Sequence, residues 1–166
     1  RDYYASRGLG DVYKRQVAAR KLQALNPYTT IVPYAQRLTS ENTFIIAEYD
    51  LVIDATDNLP SRYLIDEACV RYGKPFVYGS ICEFKGQVSV FNYQGGPTYR
   101  DLYEYHDAIA EFQQPQGVIG ALPGVVGSIQ ANEAIKLILG SQDTLSGKLL
   151  LIDLLKGSFQ TMNFIN

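Results

Sequence analysis

The chain has 166 residues, a formal net charge of −2 at pH 7, and 46% hydrophobic against 19% charged residues. These values are typical of one soluble globular domain. The slightly negative charge argues against a nucleic-acid partner, because nucleic-acid-binding domains carry basic patches. The sequence contains no apolar run of about 18 residues, the length that a membrane-spanning helix needs.

Residues 1–16 differ in pattern from the rest of the chain. They combine three tyrosines with scattered charges and a Gly8-Leu9-Gly10 turn, and they show neither strand nor helix periodicity. We expect this segment to be a leader that is not native to the fold, such as a cloning or assembly scar. The domain itself is then expected to comprise residues 17–166.

From Val17 onward, helical and β-type patterns alternate. Helices are predicted for residues 17–25, 39–46 and 64–73, and strands for residues 29–34, 51–53 and 75–79. The short apolar run Leu51-Val52-Ile53 predicts a strand buried on both faces. The alternation favours a mostly parallel sheet with crossover helices on both faces.

The second half of the sequence changes rhythm. Residues 86–93 alternate polar and apolar side chains, which is typical of an antiparallel strand with one solvated face. Residues 98–116 are expected to form a long loop, and a small-residue apolar helix is expected to begin near Gly124. Lys156-Gly157 is expected to close a hairpin. The fold class is therefore α/β, with antiparallel strands toward the C-terminus.

Polar residues follow the predicted strand 51–53 directly: Asp54-Ala55-Thr56-Asp57-Asn58, then Arg62. Ligands of open α/β sheets bind outside the carboxyl ends of strands. A carboxylate suits Mg²⁺, Asn58 can bond a ribose or phosphate, and Arg62 can meet a phosphate. The alternative is that Asp57 caps the following helix and Arg62 pairs with Asp66 at i,i+4.

The segment 54–58 resembles the D-x-T-D-N motif of the ThiF, MoeB and ubiquitin-activating (E1-like) adenylating enzymes. Further stretches that are similar to that family follow in family order, at residues 74–80, 86–91, 117–124, 127–136 and 147–150. Leu22-x-x-Leu25-Asn26-Pro27 matches the preceding helix. The resemblance implies a Rossmann-like fold and covers Val17 to about Phe164.

The resemblance implies an ATP-dependent adenylyltransferase that uses Mg²⁺. Its substrate would be the C-terminal glycine of a ubiquitin-like sulfur-carrier protein of the ThiS or MoaD type, in thiamine or molybdopterin synthesis. Asp57 would be the catalytic carboxylate that holds Mg-ATP, and Asn58 would lie at the nucleotide. Counting back from Asn26 places the family's ATP-contacting lysine at Lys14. Arg62 would support the geometry of the site.

Two family features do not match this sequence. The first CxxC pair of zinc-binding members would fall on Thr98 and Asp101, so we expect no zinc. Residues 112–116 contain no cysteine, so we expect adenylation without a catalytic thiol. Cys69 and Cys82 are expected to be buried free thiols. The stretch 97–102, without a zinc pair, slightly favours the thiamine branch. The family further implies a cytoplasmic homodimer.

Two other functions stay open. No strand followed by the family's G-x-G-G-x-G loop precedes Val17, which favours a non-catalytic module that binds a ubiquitin-like tail, as in the inactive half of a two-subunit enzyme. A NAD-dependent oxidoreductase would also have a Rossmann-like fold. Such enzymes carry a G-x-G-x-x-G motif after a strand, and this sequence has no such motif.

Overall fold

A computed structural model describes residues 9–103 and 117–164, in two units divided between Arg37 and Leu38. The first unit contains α1 (Leu9–Leu25). The helix ends where predicted, because Pro27 disfavours helical backbone at Asn26. It starts well before Val17 and continues through Gln16. That residues 1–16 are a non-native leader stays a prediction.

The strand predicted for residues 29–34 is wrong. These residues have no regular secondary structure. A strand needs a neighbouring strand to pair its backbone N–H and C=O groups, and none of the strands in the described ranges pairs with this segment. Its β-branched residues alone do not produce a strand.

The second unit is built on one five-stranded sheet in the order β1-β2-β3-β4-β5. The strands are β1 (Val52–Ile53), β2 (Phe76–Cys82), β3 (Lys85–Phe91), β4 (Lys148–Asp153) and β5 (Ser158–Asn163). The helices are a 3₁₀ turn (Thr43–Glu48), α2 (Leu59–Tyr72), α3 (Tyr99–Leu102) and α4 (Ala121–Ile138).

The sheet begins with parallel and continues with antiparallel pairing. The strands β1 and β2 are parallel, with Val52 opposite Phe76, and α2 connects them. Each later neighbouring pair is antiparallel, and β4 and β5 form the predicted hairpin at Gly157. The predicted α/β class is confirmed, although parallel pairing among the described strands is confined to β1 and β2.

Helices cover both faces of the sheet, as predicted. On one face, α2 packs on aromatic residues of β2 and β3, including Phe76, Tyr78 and Phe91. On the other face, α4 packs on Val77 and its neighbours. Successive side chains of a strand point to opposite faces, so Phe76 and Val77 belong to different cores.

Local signals explain the bounds of α2. Asn58 accepts a hydrogen bond from the Ser61 N–H at 2.9 Å and so caps the first turn. Pro60 lies in that turn, where a backbone donor is not needed. At the other end Gly73 adopts a left-handed conformation with φ 62°, which ends the helix at the predicted residue.

Helix α4 begins at Ala121, earlier than predicted from Gly124. Pro123 falls in its first turn, where the missing N–H leaves no helical bond unmade. The buried face of α4 includes Gln130 and Glu133 beside apolar residues. The apolar residues Ile135 and Ile138 of the same helix are instead 55% and 71% exposed.

Most of the long loop predicted for residues 98–116 lies outside the described residues; its first part contains the short helix α3. Within residues 9–103 and 117–164, no helix combines the length and the apolarity that crossing a membrane requires.

Candidate functional site

The polar segment 54–58 lies between the end of β1 and the start of α2. It therefore occupies the carboxyl end of a strand in the parallel part of the sheet, where ligands of open α/β sheets bind. Expected burial of β1 on both faces is wrong, because Ile53 is 46% exposed. Among the described strands β1 lies at the edge of the sheet, and Ala55 and Asp57 after its carboxyl end are exposed.

Asp54 organises the segment from within. Its side chain is fully buried, and Oδ1 accepts a hydrogen bond from the Thr56 N–H at 2.7 Å, which closes an Asx turn. Arg62 Nε lies 3.5 Å from Asp54 Oδ2, and Arg62 Nη2 donates to the Thr56 carbonyl oxygen at 3.1 Å. The guanidinium group thus contacts both ends of the turn and fixes its shape.

Burial raises the pKa of Asp54 above its ordinary value of 3.8, and this effect exceeds the opposing ones. Hydrogen bonds from Thr56 and the charge of Arg62 lower the pKa in part. A buried carboxylate loses its hydration, and the partners around it replace only some of that stabilisation. The carboxyl group that holds the turn therefore pays a desolvation cost in its charged form that Thr56 and Arg62 offset only in part.

Asp57 and Asn58 lie at the exposed side of the turn. The Asp57 side chain is exposed, and its Oδ1 accepts a hydrogen bond from Asn58 Nδ2 at 3.1 Å. Asn58 Oδ1 faces the other way and caps α2. One amide side chain therefore connects the candidate metal-binding carboxylate to the helix terminus.

The contacts expected under the structural alternative, an Asp57 cap and an Arg62–Asp66 pair, are wrong. Asn58, not Asp57, caps α2. Arg62 pairs with Asp54 rather than Asp66, whose Oδ1 instead accepts from the Tyr99 N–H at 2.9 Å. Because the Arg62 side chain is 10% exposed and turned to protein partners, its role is to support the turn.

The structure also shows a site residue that the sequence reasoning missed. Gln130 on α4 reaches the end of β1, where its Nε2 donates to the Asp54 carbonyl oxygen at 2.7 Å. A glutamine among the apolar residues of a buried helix was the available signal, since buried amides need hydrogen-bond partners.

Lys14, Cys69 and Cys82 are the other residues singled out in the sequence. Lys14 is an exposed residue of α1 in the first unit, so its role in ATP binding stays a prediction. Cys69 is buried, as expected. The expectation for Cys82 is wrong: it is exposed, and it lies at the end of β2, where the chain turns into β3.

A sequence profile of the ThiF family matches residues 3–166. The chain belongs to the ThiF family. This confirms the resemblance inferred from segment 54–58 and the ordered stretches after it. The polar segment between β1 and α2 therefore lies in a ThiF-family domain.

Among curated proteins, the ThiF-family chain is 43% identical over 157 residues to the "Probable molybdopterin-synthase adenylyltransferase" of Pyropia yezoensis. It is 45% identical over 168 residues to the "Sulfur carrier protein adenylyltransferase" of Thermus thermophilus. The two alignments cover 92% and 96% of this chain, but only 42% and 61% of those relatives. The chain thus spans part of the length of the curated relatives it matches.

A solved structure of E. coli MccB with ATP is similar in fold, with a TM-score of 0.72 over 91% of this chain and 47% of that protein. Its sequence identity is 15%, so the likeness concerns the fold.

Proposed function

We propose that this ThiF-family chain forms part of an ATP-dependent adenylyltransferase that activates the C-terminal glycine of a ubiquitin-like sulfur-carrier protein of the ThiS or MoaD type. The exposed carboxylate of Asp57, held beside the capped start of α2, is the observation that carries the proposal. Two relatives named as adenylyltransferases support it.

The residues present fit a magnesium-bound nucleotide. Mg²⁺ binds through one or two carboxylates, several waters and substrate phosphates rather than in a cage of protein ligands. Asp57 supplies an exposed carboxylate, and the described residues contain no cluster of three or more His, Cys, Asp or Glu side chains placed for a metal. The metal, when bound, neutralises charge on the phosphates. The solved structure of MccB with ATP supports nucleotide binding on this fold.

In the proposed reaction, a terminal carboxylate oxygen of the carrier attacks the α-phosphorus of ATP. The bond from that phosphorus to the bridging oxygen breaks, pyrophosphate leaves with the electron pair, and an acyl-adenylate remains. Asp57 holds the nucleotide in register, Asn58 fixes the Asp57 carboxylate, and Arg62 keeps the turn from moving. In such a step the protein contributes alignment of the two anions and electrostatic stabilisation of the charge that develops on the phosphates.

Further features belong to the same proposal. Lys14 contacts the ATP phosphates. The whole protein works as a cytoplasmic homodimer without zinc. Names of the relatives point to carriers in molybdopterin synthesis or to sulfur carriers in general. The proposal therefore covers both the thiamine and the molybdopterin branch, and the slight preference of stretch 97–102 for thiamine stays a prediction.

Carrier-dependent exchange of labelled pyrophosphate into ATP tests the proposal. The whole protein that carries this chain is incubated with ATP, Mg²⁺ and a ThiS- or MoaD-type carrier ending in Gly-Gly. We expect exchange with the intact carrier and none with a matched carrier that lacks the final glycine. Carrier binding without exchange would instead identify a non-catalytic binding module.

A further inference from the structure

We propose that Gln130 is a positioning residue for Asp57. It holds the turn of residues 54–56, which places Asp57, from the face of the sheet opposite to Arg62. The inference rests on the proposed function for its catalytic consequence, but its structural part stands by itself. Gln130 lies on α4, whereas Arg62 reaches the same turn from α2 on the other face.

The contacts of Gln130 are directed at the end of the parallel ladder. Its Nε2 donates to the Asp54 carbonyl oxygen at 2.7 Å and lies 3.4 Å from the Val77 carbonyl oxygen. The Val77 oxygen also accepts from the Asp54 N–H at 2.9 Å. One buried amide group therefore joins Asp54, which directly follows β1, to Val77, the last β2 residue of the parallel ladder.

Gly79 makes room for this side chain. A Cβ atom at residue 79 would lie 2.5 Å from the carboxamide carbon of Gln130, closer than two such atoms can approach. Because the neighbouring Val77 packs against α4, a larger residue at 79 would occupy the space that Gln130 crosses. Gly79 and Gln130 thus form a matched pair across the sheet and α4.

The position of Asp54 determines the position of Asp57. The Asp54 carbonyl accepts from Gln130, while its carboxylate accepts from the Thr56 N–H and pairs with Arg62. Loss of the Gln130 hydrogen bond leaves the contacts of Arg62 with the turn intact but removes the side-chain donor to the Asp54 carbonyl oxygen. A shift of about 1 Å at a positioned group can cost about 100-fold in rate.

The test compares Gln130→Met with Glu133→Met in the whole protein. Both substitutions remove a buried polar group of similar size from α4, but Glu133 accepts from the Leu145 N–H, away from the turn. For each variant, kcat and KM of carrier-dependent pyrophosphate exchange are measured per folded molecule. Hydrogen exchange of the backbone amides in residues 54–58 is measured in parallel.

For Gln130→Met we expect kcat to fall by about tenfold or more with an unchanged KM for the carrier. The amides of Asp54 and Thr56 should exchange faster, while those of β3 and β4 keep their protection. Glu133→Met should lower the free energy of unfolding but leave kcat and the turn amides unchanged. Gly79→Ala should reproduce the Gln130→Met phenotype, and the double variant should be no slower than the slower single variant.

Equal effects of the two α4 substitutions on kcat and on the turn amides would overturn the proposal, because Gln130 would then be a structural residue like any other. If the wild-type protein shows no pyrophosphate exchange, the proposed function fails. The positioning role of Gln130 is then tested by hydrogen exchange of the backbone amides in residues 54–58 alone. Selective loosening of residues 54–58 in Gln130→Met would uphold the positioning role, and unchanged protection would overturn it.

Discussion

Arg62 and Asp54 form a buried ion pair at the root of the candidate site, with Nε and Oδ2 3.5 Å apart. The distance makes this a charge contact rather than a hydrogen bond, since Arg62 Nη2 donates instead to the Thr56 carbonyl oxygen. The contacts of Asp54 thus replace less of its lost hydration than hydrogen bonds to both carboxylate oxygens would.

The free energy of unfolding should carry a pH dependence that comes from Asp54. Since burial raises its folded-state pKa above 3.8, the folded protein holds the proton more tightly than the unfolded chain. This stabilising contribution is complete below the unfolded value and is lost as the pH rises through the raised pKa. Asp54→Asn cannot titrate and retains an acceptor for the Thr56 N–H.

Urea denaturation of Asp54→Asn and wild type at several pH values measures this dependence. The free energy of unfolding of the variant minus that of wild type should increase from acid to neutral pH. Burial also raises the pKa of Asp66, but this group is present in both proteins and its contribution cancels in the difference. A difference that decreases with pH would contradict the direction assigned to Asp54.

Substitutions of Asn58 should separate its structural role from its role at the nucleotide. Asn58→Ala removes the cap of α2 and should destabilise the protein by about 1 kcal/mol. Asn58→Ser keeps a capping oxygen and should restore most of that stability. Because serine lacks the amide group that bonds Asp57, ATP affinity should stay reduced in both variants. Thermal unfolding and ATP titration measure the two effects, and wild-type ATP affinity in Asn58→Ser would remove Asn58 from the nucleotide site.

The two cysteines should differ in reactivity. Cys69 is fully buried, and burial together with nearby Asp66 and Asp54 raises the pKa of its thiol to about 12. Cys82 is exposed. Since the thiolate is the reactive form, iodoacetamide should label Cys82 and spare Cys69 in the native protein, as peptide mass spectrometry can show. Unfolding in urea provides the control, because both cysteines should then react.

The sequence predicted most of the second unit because its local signals agree with the tertiary structure. Asn58 and Gly73 bound α2 as such residues commonly do. The alternation of residues 86–93 predicted the strand β3. The solvated face expected for that strand is wrong, because Ser89 and Phe91 on one face are buried like Val88 and Val90 on the other. The segment 29–34 shows the limit of this reasoning. Its composition favours a strand, but pairing requires a partner strand, which composition does not supply.

The candidate site was found from its place after β1, but its supporting contacts were not. Arg62 and Asp66 have the spacing of a helical ion pair, as the exposed pair Glu67 and Arg71 does. The structure turns Arg62 to Asp54 and Asp66 to Tyr99. These partners lie outside the helix, and no local pattern distinguishes them from the helical pairing. For the same reason Gln130, 76 residues from Asp54, could not be assigned to the turn.

Removal of the Asp57 carboxylate tests the central claim most directly. Asp57→Ala should abolish carrier-dependent pyrophosphate exchange but change the free energy of unfolding by less than about 0.5 kcal/mol, because the side chain is exposed. Glu67→Ala, which removes another exposed carboxylate of the same region, should retain wild-type exchange. Wild-type exchange by Asp57→Ala, in a preparation that binds the carrier normally, would contradict the account.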